Sequence, residues 1–273
     1  MTGYVFIAVV SAFIGLYFVL YNLKMGHPYF AAALGSSIAV FIFAVPVLTM
    51  KSLAEERKTK TDQMLLTYPV SVTGIVLGKF FAMMTVYIVP FLIGCLCPLV
   101  IRIVGTGSLL IDYSAILLFI CLGALFVGIG MFVSSLTDSQ VIAAVITMAA
   151  LLLIVIWDSV TGYIPETPVA SLVGFIVIFL LAAFIILRIT GCWTGPAIIA
   201  IFGVVASTLC YFLAPEWFTG AIQKVLAAAS IFTTLSNFVS FYVFDVKGLI
   251  AILCFAALFV FLTIQAVQRR RWN

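Results

Sequence analysis

The stretch KSLAEERKTKTDQMLLTYPVSVTGIVLGK, residues 51–79, decides how the rest of the chain is read. Lys51, Glu55, Glu56, Arg57, Lys58, Lys60 and Asp62 crowd into a dozen positions of a chain that is only 8% charged. Strongly apolar runs lie on both sides of it. A charged side chain at the centre of a bilayer costs about 2.5–3.5 kcal/mol even on lenient scales. The cluster therefore reads as a water-facing element between segments built for lipid.

Composition agrees. The 273 residues are 66% hydrophobic, with a mean hydropathy of +1.36. Soluble domains are about 45–50% apolar, and no long polar block here could form one. The expected class is an all-α polytopic membrane protein, with residues 1–273 as a single transmembrane domain. Apolar runs predict about eight spanning helices, at 4–22, 30–50, 72–101, 113–134, 140–157, 170–188, 196–214 and 248–268. Backbone groups in lipid must be satisfied within each segment, so each run is helical. The start lacks a basic n-region and a small-residue cleavage site, so residues 4–22 read as a retained span rather than a signal peptide.

Orientation follows from the loop cations. With residues 51–79 in the cytosol, nine of the 13 basic residues fall on the cytosolic side: Lys51, Arg57, Lys58, Lys60, Lys79, Arg188 and Arg269 to Arg271. Lys24, Arg102, Lys224 and Lys247 fall outside, and both termini are then cytosolic. The net charge of +4 is spread between loops and argues topology, not nucleic-acid binding. Trp157 reads as an interfacial anchor, and the closing arginines can meet anionic headgroups.

Within 51–79, residues 52–60 can extend the second helix into water. Thr61 or Asp62 can cap a short helix carrying Leu65 and Leu66, Pro69 ends it, and Ser71 can cap the third span. Gly74 and Gly78 form a GxxxG pair, and Ser11 with Gly15 a looser one; both motifs are common by chance. Pro90 and Pro98 should bend the third span. Asp138 or Ser139 can cap the fifth. Residues 215–247 are too apolar for a solvated loop and read as an interfacial or re-entrant segment.

Much chemistry is absent. No GxxxxGK[ST], HExxH or GxSxG run occurs. The six cysteines form no CxxC pair, and the single histidine, His27, sits in a Gly/Pro turn. Asp112, Asp158 and Glu166 all fall at helix ends, whereas ion-coupled carriers place an ionisable group in the bilayer interior. Energy for transport would then enter from a partner.

The run from Met50 to Lys79 resembles the permease subunits of ABC-2 type ABC transporters, in their gliding-motility-type branch. The matching positions are Met50, Ala54, Glu55, Glu56, Arg57, Thr61, Leu65, Leu66, Thr67, Pro69, Val70, Ser71, Ile75, Val76, Leu77, Gly78 and Lys79. Gly3 to Phe6, Ser134 to Thr137 with Gln140, and Phe261 to Arg271 match in the same order. The resemblance implies an exporter permease that pairs with a second permease copy in the bacterial plasma membrane. It implies a separate cytosolic ATPase that binds ATP and Mg, so this chain would hold no cofactor and be no enzyme itself. The contact with that ATPase would be a short coupling helix, with Glu55, Glu56, Arg57, Thr61, Leu65, Leu66, Pro69 and Lys79 as its residues. The family core has six helices, which makes residues 170–214 an added hairpin. The family's basic amphipathic helix before the first span has no counterpart ahead of Met1-Thr-Gly3. A secondary transporter or channel, and a membrane scaffold without flux, are the alternatives that the polytopic pattern leaves open.

Overall fold

The computed structural model describes residues 2–61, 71–105, 107–163, 165, 167–190, 202, 207–208, 220–223 and 245–271. Among them the chain is helical with no strand, as expected for an all-α polytopic membrane protein. The helices are α1 (Thr2–Tyr17), which widens to a π-helix over Phe18–Lys24, α2 (Phe30–Ser36), α3 (Ile38–Thr49), α4 (Ala54–Lys58) and α5 (Val72–Gly94). They continue as α6 (Leu96–Val104), α7 (Leu109–Leu136), α8 (Gln140–Tyr163), α9 (Pro168–Thr190) and α10 (Val246–Arg271).

Six stretches of the described residues are long and apolar enough to cross a membrane: Gly3–Lys24, Ile38–Lys58, Val72–Ile103, Leu109–Leu136, Gln140–Trp157 and Val246–Arg269. They coincide with six of the eight expected spans. The expected helix at 170–188 is α9, with Pro168 in its first turn and the Thr167 hydroxyl accepting the Ala170 N–H at 3.3 Å. The expected helix at 196–214 and the segment 215–247 lie, apart from isolated positions, outside the described residues.

The chain forms two compact units. One comprises Met1–Ile154 with Ile231–Asn273, the other Val155–Ser230. In the second, a Cβ on Gly174 would stand 2.6 Å from the Ile222 side chain, so only glycine lets that residue seat against α9.

In the first unit α7 is the central helix. Of its 18-residue window 78% is buried, against 17–39% for the other five. Its small residues explain this. A Cβ on Gly123 would stand 2.0 Å from the Tyr87 ring of α5, and one on Gly130 would stand 2.2 Å from Thr49 Oγ1 of α3. Two neighbours thus approach α7 more closely than any side chain would permit. The space between α3, α5 and α7 is filled by Phe41, Tyr87, Phe91 and Phe119. Phe41 and Phe91 stack at 5.5 Å, and Tyr87 and Phe91 lie at 5.2 Å. The Tyr87 hydroxyl donates to the Phe119 carbonyl at 3.1 Å, so the polar atom of this cluster is satisfied.

Three expectations need correction. The second span is broken at Ser37 between α2 and α3. Gly35, Ser36 and Ser37 meet there, and the Ser37 hydroxyl bonds the Leu34 carbonyl at 2.7 Å, a known cause of kinks. The third span bends as its prolines predict, but the break falls at Cys95, because Pro98 has no N–H for the Gly94 carbonyl. The fourth span starts at Leu109 rather than 113. This draws Asp112 into its first turn, where it is 1% exposed.

Candidate functional site

The segment that joins α3 to α5 folds as an elbow. The second span does not run on through residues 52–60 as one helix. α3 ends at Thr49, the chain turns over residues 50–53, and α4 begins at Ala54. The cause is Ser134 near the end of α7. In a continuous helix the Leu53 and Ala54 N–H groups would donate to the Thr49 and Met50 carbonyls. Here both donate to Ser134 Oγ, at 3.2 and 3.0 Å, while the same hydroxyl donates to the Met50 carbonyl at 3.3 Å. One buried hydroxyl thus closes α3 and caps α4 from another helix. The residue at the N-cap of α4, Leu53, has no side-chain oxygen to do so.

Two charged groups strap α4 further. Arg57 donates to the Ser135 carbonyl at 3.0 Å and pairs with Asp138 in the turn after α7. Lys79, on the second turn of α5, donates to the Ser52 carbonyl at 2.9 Å and pairs with Glu56. The side chains of Arg57 and Lys79 are only 19% and 21% exposed. Partly buried and bonded also to backbone carbonyls, they fix position better than the usual surface pair, worth about 0.2–1 kcal/mol. α4 ends in a Schellman turn. The Lys60 N–H bonds the Arg57 carbonyl at 3.1 Å and the Thr61 N–H bonds the Glu56 carbonyl at 2.9 Å, with Lys60 at φ 58°.

The expected site residues divide accordingly. Glu56 and Lys79 are brought together, while Arg57 turns to Ser135 and Asp138 at the end of α7. Glu55 is exposed on the opposite side of α4, and among the described residues its carboxylate has no partner. The Thr61 hydroxyl bonds back to the Glu56 carbonyl at 3.2 Å, and the short helix expected to be capped by Thr61 or Asp62 lies outside the described residues. Leu65, Leu66 and Pro69 lie outside the described residues. Ser71 caps α5 as expected, accepting the Gly74 N–H at 3.3 Å. Of Asp138 and Ser139, the two expected candidates for the cap of α8, Asp138 gives its carboxylate to Arg57. Sequence reasoning missed Ser134, Ser135 and Asp138 as partners of the elbow. The available signal was their side of the bundle: alternating spans put the 134–140 turn beside residues 51–79.

The cysteines described, Cys95, Cys97, Cys121 and Cys254, are free thiols, and no group of three potential metal ligands occurs among the described residues. The elbow is a short helix carrying exposed charge, bonded on its inner side to the ends of α5 and α7.

No family model, no curated protein and no solved structure matches this chain.

Proposed function

We propose that this chain is the membrane-spanning permease subunit of an ATP-driven ABC transporter of the ABC-2 type. It works as an exporter in the bacterial plasma membrane with both termini in the cytosol. A separate ATPase, which holds ATP and Mg, docks on the elbow, and a second permease copy completes the pore. One observation carries this reading: α4 turns Glu55 to solvent while Glu56, Arg57, Ser134 and Lys79 tie its other side to the two helices that pack at the middle of the bundle. A push on the exposed side reaches the core through that bonded one. The ordered likeness of residues 50–79 to ABC-2 permeases supports the same reading.

The arrangement divides the labour among the residues singled out from the sequence. Glu55 meets the ATPase. Glu56, Arg57 and Lys79 hold the helix that presents it. The test is coexpression with a cognate ABC-type ATPase from the same genome. Glu55→Arg should abolish stimulation of ATP hydrolysis by the permease without lowering its melting temperature. Glu56→Gln should lower both. If neither substitution alters coupling, the elbow is not the point where work enters.

A further inference from the structure

The other end of α7 holds a titratable group that the elbow does not use. Asp112 is 1% exposed. Its Oδ1 accepts the Phe30 N–H at 2.7 Å, while its Oδ2 is buried with no hydrogen-bond partner. From the hairpin between α1 and α2, Asn22 donates through Nδ2 to the Tyr29 carbonyl at 3.0 Å and to the His27 carbonyl at 2.9 Å. The Tyr29 carbonyl and the Phe30 N–H belong to one planar peptide group and point opposite ways. Asn22 and Asp112 therefore grip that peptide from its two sides.

An ionised carboxylate has about four lone-pair positions to satisfy, and here one donor reaches it. A first-turn position adds a weak helix-dipole attraction. Neither replaces the water lost when a carboxylate is buried, and a group so placed takes up a proton instead. No cation among the described residues compensates. α2 carries no charged residue. Arg102 on α6, Lys24 and His27 on the hairpin, and Asp245 and Lys247 at the start of α10 are exposed, and among the described residues no ion pair reaches Asp112. Tyr29, Tyr113, Cys95 and Cys97 are the remaining titratable groups nearby, and none bears positive charge. A metal ion would need several oxygen ligands at once. Asn22 Oδ1, also buried without a partner, belongs to the side chain across the gripped peptide.

We propose that Asp112 is a proton-binding site. A proton taken from water onto Oδ2 neutralises the carboxyl while Oδ1 goes on accepting the Phe30 N–H, and this neutral form keeps the hairpin seated on α7. Returning the proton to water leaves a bare charge in the packing and drives the start of α2 away from α7. The site stands independently of the transporter reading.

Infrared spectroscopy of the protein in lipid, with aspartate labelled by ¹³C at the side-chain carboxyl, tests it. At neutral pH the labelled wild type should show the carbonyl stretch of a neutral carboxylic acid, and the band should vanish on alkalinisation. Asp112→Asn should remove it. If that variant does not fold, Asp112→Glu serves instead, because it deletes the label at this position alone. A neutral-pH spectrum with carboxylate bands only would overturn the proposal. So would an acid band that survives either substitution.

Discussion

The two ends of α7 are each fixed to the chain by one buried polar side chain, and the two solve the same problem differently. At the elbow, Ser134 is a neutral hydroxyl that accepts two N–H groups and donates to a carbonyl. At the hairpin, Asp112 accepts one N–H and leaves its second oxygen with none. A satisfied hydroxyl costs little to bury. A buried ion costs several kcal/mol even after the surroundings relax, against about 1.5–3 kcal/mol returned by one hydrogen bond to a charge. The contrast separates a permanent joint from one whose strength depends on a proton. It also says why the same helix can carry both: the close contacts at Gly123 and Gly130 hold its middle against α5 and α3, so the ends can differ without the helix shifting.

The comparison breaks most severely if the middle is disturbed. Gly123→Ala places a Cβ inside the Tyr87 ring, and the overpacking should cost ~3 kcal/mol, read as a drop of several degrees in melting temperature with both ends loosened together. Cutting the elbow joint comes next. Ser134→Ala strands the Leu53 and Ala54 amides and should cost ~2 kcal/mol. Hydrogen exchange should rise at those two amides and leave Phe30 unchanged; a rise at both ends would mean that the ends are not independent. At the hairpin, Asp112→Asn keeps an acceptor for Phe30 and removes the ionisable group, so stability read from thermal unfolding should change by less than ~1 kcal/mol. A loss as large as that of Ser134→Ala would show that a carboxylate, not a neutral group, belongs there. The smallest effect has the opposite sign. Lys60→Gly relieves the left-handed backbone at the end of α4 and should stabilise it by ~0.5–1 kcal/mol, seen as slower exchange at Thr61.

Much of the architecture was legible. Six spans follow from runs of apolar residues alone, since length and hydropathy set what lipid accepts. Ser71 was readable as a cap because its partner lies three residues on. What was not legible depended on partners far apart in sequence. The break before α4 is dictated by Ser134, eighty residues away from Ala54, and no local propensity at residues 50–54 announces it. Asp138 looked like a local cap and instead serves Arg57. Asp112 looked like a helix end because charge was taken to mark the edge of the apolar run. Burial was decided by α2 folding back over it. The GxxxG motif marks no close approach at Gly78 within the chain. A Cβ on Gly78 would meet nothing within 4 Å, while the glycines that matter for packing, Gly123 and Gly130, are seven residues apart and form no such pair.

The five residues of α4 are too few to form a helix unaided. Nucleating a helical turn is unfavourable, and isolated helices shorter than about 12–15 residues are marginal in water. What keeps Ala54–Lys58 coiled is borrowed: donors quenched by a serine of α7, an arginine braced on the end of that same helix, a lysine reaching in from α5, a reverse turn at the exit. Prised from that seat, the segment would melt into a slack tether and not swing as a lever. Its order is therefore a gauge of whether the bundle beneath it is assembled, and any force delivered there acts only while the seat is occupied.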